Sequence, residues 1–220
     1  MNKKLKLAFP AGSYKEATIA LFRKAGIKIE IEDRSCFPLV NDGEIECQLL
    51  RAQEIGRYVE SGKFDIGITG KDWIEESGAN IEEIDEFLYT RNGSAFIRLA
   101  LAVPNDSEIK EVKDLKGKVV ATEFVNITKK YLKEKGINAK VEFSWGSTEG
   151  KAPYLADAVV DLVDSGKSFR VNNLRIIDTV FTSTTRFIAN KESYKDPAKR
   201  KQIDALVLRI KKTFSNSLNS

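Results

Sequence analysis

Residues 157–169, Asp-Ala-Val-Val-Asp-Leu-Val-Asp-Ser-Gly-Lys-Ser-Phe, combine an apolar run with a dense polar tail. The tail is Asp164, Ser165, Gly166, Lys167 and Ser168. Gly166 permits a tight turn whose successive N–H groups face inward. The hydroxyls of Ser165 and Ser168 add donors, and the start of a following helix favours negative charge. The segment reads as an anion-binding loop or as an ordinary strand-to-helix turn. It is not a Walker A loop, because Gly-x4-Gly-Lys-Ser is absent. Asp161 and Asp164 would repel a bare phosphate unless they had a second task. Two such tasks are accepting hydrogen bonds from sugar hydroxyls and ligating Mg²⁺. The loop therefore suits a sugar phosphate, with helix capping as the competing role for Asp164.

Other loops carry weaker signals. Gly12 and Ser13 precede a helix-like segment, and Gly70, Lys71 and Asp72 close an apolar run. Each group is either a second anion contact or tight packing. Arg34, in a loop, and Arg51, at a strand end, suit a polyphosphate, although most surface arginines do nothing specific. Trp73 and Trp145 read as core residues rather than as platforms for a nucleobase. Histidine is absent from all 220 residues. That excludes imidazole-driven serine or cysteine hydrolysis and histidine-based zinc chemistry. Catalysis must rest on carboxylates, Lys or Arg, backbone dipoles or an oxygen-ligated cation.

These loops need elements to hold them. Strands are expected at 5–10, 44–51, 64–70, 81–90, 98–104, 118–124, 139–145 and 156–163, with helices at 13–26, 52–62, 71–78, 126–136 and 168–174. Ser13 and Glu16 form a candidate capping box. Residues 175–191 alternate like one extended strand. Asp196 and Pro197 open a final helix whose apolar face carries Leu206, Val207, Ile210 and Phe214. Short apolar strands separated by helices indicate an α/β fold with mainly parallel sheets flanked by helices. In such sheets ligands bind beyond the C-terminal strand ends, where the chemistry-bearing loops fall.

With 42% hydrophobic and 31% charged residues and a net charge of +4, the composition is that of a soluble globular protein with no nucleic-acid footprint. No apolar run approaches the roughly 18 residues of a membrane span. The two cysteines fit a reducing compartment, so a cytoplasmic location is the default expectation.

Several segments together resemble the ATP phosphoribosyltransferases, the first enzymes of histidine biosynthesis. They are residues 50–73, "GITGKD" (67–72), "RLALAVP" (98–104), 118–137, "ADAVVDLVDSGKSFRVNNLRIID" (156–178) and "TTRFIANKESYKD" (184–196). The resemblance implies a two-lobe fold like the type II periplasmic binding proteins. Lobe I would comprise 1–97 and 184–220, and lobe II 98–183. It implies that Asp164 to Ser168 hold the 5′-phosphate of phosphoribosyl pyrophosphate (PRPP), with Asp161 and Glu149 near the ribose. Arg34 would meet the pyrophosphate and the ATP phosphates. Gly12, Ser13, Arg51 and Asp72 would line the ATP side. The implied reaction joins N1 of ATP to C1 of PRPP, with Mg²⁺ carried mainly by substrate phosphates. The chain resembles the short form of the family. This implies a homodimer that assembles with a regulatory subunit resembling histidyl-tRNA synthetase. Two departures stand out: Ala11 replaces a usual Lys, and Glu123 stands where Lys is frequent. Competing readings of the same fold are a small-molecule binding module and a degenerate regulatory paralogue.

Overall fold

The structure, a computed structural model, describes residues 4–88 and 96–217, with side chains to residue 213. The chain divides into two compact units, Met1–Ala95 with Thr184–Ser220, and Phe96–Ser183.

The first unit begins with β1 (Leu5–Pro10), a 3-10 turn (Gly12–Tyr14) and α1 (Lys15–Lys24). A small hairpin, β2 (Ile29–Glu30) and β3 (Leu39–Val40), leads to β4 (Ile45–Leu50) and α2 (Ala52–Glu60). Then come β5 (Ile66–Gly70), α3 (Lys71–Ser77) and β6 (Glu82–Phe87). The second unit holds β7 (Ile97–Pro104), β8 (Val119–Thr122), α4 (Val125–Glu134) and β9 (Lys140–Phe143). It continues with β10 (Ala158–Val163), α5 (Lys167–Val171) and β11 (Leu174–Ser183). The chain then returns to the first unit as β12 (Thr185–Ala189), α6 (Lys191–Lys195) and α7 (Pro197–Ser217). No described helix is long and apolar enough to cross a membrane.

Alternation along the strands builds both faces of the first sheet. Leu7, Phe9, Ile66, Ile68 and Phe187 pack with Phe22 of α1 and with Ile203 and Ile210 of α7. The intervening Ala8 and Ile188 pack with Ile55 and Val59 of α2 and Ile74 of α3. Strands apolar on both sides belong between helices, which is the environment of a parallel sheet. Gly67 makes the α2 side possible. A Cβ there would lie 2.5 Å from Ile55 Cγ2 and 2.9 Å from Val59 Cγ2. In the second unit, Val159 of β10 aligns with Ala102 and Ala121 on one face, and Val160 with Leu101 and Thr122 on the other.

The strand orders are β4-β1-β5-β12-β6 and β11-β7-β10-β8-β9. Taken from β9 inward, the second order repeats the first. In each, one strand is antiparallel to its neighbours: β12 between β5 and β6, and β7 between β10 and β11. Each is the first strand after the chain changes unit.

Several expectations are corrected. Residues 175–191 form two strands in two different sheets, because the chain changes unit at Ser183–Thr184. Ser13 is no helix cap. It lies within the 3-10 turn, and α1 starts after Tyr14 with no side-chain cap. The β2–β3 hairpin and α6 were not foreseen. Asp196 does cap α7, its Oδ1 accepting from the N–H groups of Ala198 (2.9 Å) and Lys199 (3.1 Å), with Pro197 at the first position. Residues 89–90 of the expected strand, and the side chain of Phe214, lie outside the described residues. Of the two free cysteines, Cys36 is exposed and Cys47 is buried.

Candidate functional site

In the second unit, β8, β9 and β10 run parallel, so their C-terminal ends share one edge of the sheet. The apolar residues of β10 hold the strand in the core as far as Val163, which releases Asp164 to Ser168 at that edge. Gly166 adopts a left-handed φ of +69° and forms the N-cap of α5. A Cβ at Gly166 would lie 3.2 Å from Nη1 of Arg170, so position and conformation both favour glycine. The Lys167 N–H donates to Ser165 Oγ at 3.4 Å. Ser165, rather than Asp164, thus accepts from the first helical N–H, and α5 has no side-chain cap from Asp164. Ser165, Lys167 and Ser168 are exposed, and Asp161 and Asp164 are half-buried. Asp157 is structural: its Oδ2 accepts from the Val119 N–H at 2.8 Å.

Arg170 was missed by the sequence reading. Its Nη1 donates to the Ser165 carbonyl at 3.1 Å and lies over the glycine turn. The signal was its spacing: a cation four residues after the loop glycine, one helical turn on, faces back towards the loop.

At the ends of β8 and β9, two carboxylates approach each other. Burial, and next the negative charge of Glu149, push Glu123 above the usual carboxylate range. Glu149 lies in a 3-10 turn, Thr148–Gly150, reached through Gly146 (φ +115°) and Ser147 (φ +48°). Trp145 contradicts its reading as core, being 92% exposed just past the end of the edge strand β9. An edge strand has a neighbour on one side only, so residues just past its end are left uncovered on the other. Trp73 is half-buried.

In the first unit, Gly12 (φ +75°) and Arg51 come together: a Cβ on Gly12 would lie 3.5 Å from Arg51 Nη1. Ser13 and Arg51 are exposed beside it. Lys71 is engaged by Glu75 (3.0 Å) and Glu83 (2.5 Å). Asp72 departs from its expected place on a ligand-lined surface. It is fully buried in the first turn of α3. Arg34 occupies the link between β2 and β3 at φ +61°. Its side chain is 94% exposed, with Asp33 at 3.8 Å as an ion-pair partner. The structure therefore does not join Arg34 to Gly12 or Arg51.

No group of three or more His, Cys, Asp or Glu side chains that could hold a metal ion occurs among the described residues. The carboxylates of Asp161 and Asp164 are hard oxygen donors, few enough to suit Mg²⁺ that keeps phosphate and water ligands.

The profile of the ATP phosphoribosyltransferase family matches residues 51–212. The ATP phosphoribosyltransferase of Chlorobium phaeovibrioides (strain DSM 265 / 1930) is 50% identical over 209 residues, covering 95% of this chain and 71% of that protein. The ATP phosphoribosyl transferase (HisG:HisZ) complex from Thermotoga maritima matches at a TM-score of 0.81 and 27% identity, over 96% of this chain and 99% of that one. The substrate binding protein of an amino acid ABC transporter shares the fold, at a TM-score of 0.57 and 15% identity over 97% and 94% of the two chains. The chain belongs to the ATP phosphoribosyltransferase family, the enzymes of the first step of histidine biosynthesis.

Proposed function

We propose that the chain transfers the 5-phosphoribosyl group of PRPP to N1 of ATP, with Asp164–Ser168 as the cradle of the 5′-phosphate. The observation that carries this is the left-handed Gly166 turn with its exposed hydroxyls and the Arg170 guanidinium. The N–H groups that open α5 and the Ser165 and Ser168 hydroxyls donate to phosphate oxygens. Arg170 and Lys167 balance the charge. Asp161, and Glu149 in the 3-10 turn that packs against β10, accept from the ribose hydroxyls.

The adenine N1 lone pair forms the new bond to C1 as the C1–oxygen bond to pyrophosphate breaks. The leaving pyrophosphate takes the bonding pair. The adenine, briefly cationic, then loses a proton from its amino group to solvent water. Such a reaction needs no strong protein base, which accords with a chain that has no histidine. The protein contributes positioning and charge stabilisation at a carbon with oxocarbenium character. Arg34 is assigned to the departing pyrophosphate, and Gly12, Ser13 and Arg51 to the ATP phosphates. Asp161 and Asp164 are the carboxylates that would help hold a Mg²⁺ ion carried mainly by substrate phosphates, and the ion would supply neutralisation of the pyrophosphate charge.

The Thermotoga protein is solved in a complex with HisZ, and this supports assembly with a regulatory subunit resembling histidyl-tRNA synthetase. A cytoplasmic setting, where ATP and PRPP are made, fits the two free cysteines. The test is the absorbance of the adduct formed from ATP, PRPP and Mg²⁺, with and without the candidate subunit. Adduct that requires all three reagents is the expected result. No turnover in either case, with PRPP binding retained, would overturn the reading.

A further inference from the structure

Trp145 is 92% exposed, yet it is not loosely held. Ser144 before it is buried, its N–H bonded to the Thr122 carbonyl (2.9 Å) and its Oγ to Thr148 Oγ1 (3.0 Å). Gly146 and Ser147 after it turn sharply through left-handed conformations. The Phe143 ring meets the indole edge-on, with centroids 4.8 Å apart at 83°. A large aromatic ring fixed by its neighbours but left open to solvent marks a binding surface rather than a folding contact.

Its place in the sheet suggests what it binds. The order β10-β8-β9 puts the phosphate loop and Trp145 two strands apart along one edge. That separation is about 10 Å, twice the spacing of neighbouring strands. A ribose held by its 5′-phosphate after β10 would carry its anomeric carbon about one strand spacing from the loop, so a base bonding at that carbon would come within reach of the end of β9.

We infer that Trp145 is the stacking platform for the adenine of ATP, holding N1 in line with the anomeric carbon. This rests on the proposed placement of PRPP at Asp164–Ser168. A flat π-face accepts a purine by stacking, and the exposed Phe143 ring, perpendicular to it, restricts the swing of the indole.

The test is steady-state kinetics of Trp145→Ala and Trp145→Phe, together with tryptophan fluorescence during titration with ATP alone. Trp145→Ala is expected to raise KM for ATP roughly tenfold or more, the scale of one lost stack, with KM for PRPP within about twofold. Trp145→Phe should recover most of that loss. ATP should quench the wild-type emission, and Trp145→Phe should abolish the quench. An unchanged KM for ATP in Trp145→Ala, or a quench that survives in Trp145→Phe, overturns the inference. So does a variant that changes only the oligomeric mass, because the ring would then serve a protein interface. If the wild type forms no adduct, the proposed function fails. The ATP titration, which needs no PRPP, still decides the platform.

Discussion

At the scale of single residues, the two arginines can be separated by kinetics. Arg170 touches the loop backbone and so belongs to ground-state binding of the phosphate. Its replacement by Ala should raise KM for PRPP about tenfold, the scale of one charge-assisted hydrogen bond, and leave kcat little changed. Arg34, mostly exposed and free of such anchoring, is assigned to charge that appears on the leaving group. Arg34→Ala should lower kcat/KM by roughly 2–4 kcal/mol, mainly through kcat. A loss under about twofold would remove that role. Glu123 offers a test by pH. Burial and the neighbouring Glu149 raise its folded pKa, so folding favours the protonated form. That contribution is present in full below the unfolded value and is lost as pH rises through the folded one. Glu123→Gln should therefore melt higher than wild type at neutral pH. The advantage should fade as pH falls towards 4.5, the ordinary value for the group. Equal melting temperatures at pH 7 would show that Glu123 is not strained.

At the scale of elements, the packing of α2 on β5 sets a strict limit on side-chain size. Gly67→Ala would push a methyl into Ile55 and Val59, and should cost roughly 1–3 kcal/mol by denaturant unfolding. Most elements were legible because their signals are local. The alternation of Leu7, Ala8 and Phe9 marks a strand, Asp196-Pro197 marks a helix start, and the apolar run into Ser165-Gly166 marks a loop at a strand end. The features that were not legible depend on neighbours distant in sequence. The apolar pattern of β7 is the same in either direction, so only its partners β10 and β11 make it antiparallel. The continuous alternation of 175–191 hides the change of sheet at Ser183–Thr184. Trp145 reads as core from its residue type alone, and it is exposed because β9 is an edge strand. Two-residue strands such as β2 and β3 carry too few side chains to show a period.

At the scale of the whole molecule, the returning segment 184–217 is pinned to the first unit by a buried polar cluster. Asp65 is 5% exposed and accepts from Lys199 Nζ (2.6 Å), Ser193 Oγ (2.6 Å) and the Lys6 N–H (2.9 Å). Asn190 adds bonds from its side chain to the Val59 and Glu60 carbonyls. Burial by itself would raise the Asp65 pKa, but these hydrogen bonds and the Lys199 charge outweigh it and hold the carboxyl below its ordinary 3.8. A lowered carboxylate pKa stabilises the fold above the unfolded value, and that stability is lost as pH falls below about 4. Lys199→Met should cost about 3 kcal/mol near neutrality, since it leaves a buried carboxylate without its cation. The cost should shrink in unfolding curves taken below pH 4. The return of the chain to the first unit also bears on biosynthesis. The second unit is one unbroken stretch of chain, whereas the sheet of the first has β12 in its interior, between β5 and β6. As the ribosome releases the chain from its N-terminus, the unit that begins first must therefore be completed last. Until residues 185–189 emerge, β5 has β1 as its one neighbour and β6 has no strand to pair with. A chain stalled after residue 183 should show protease resistance in 96–183 while the earlier segment is still cut, and the interval until β12 arrives is when this protein most needs a chaperone.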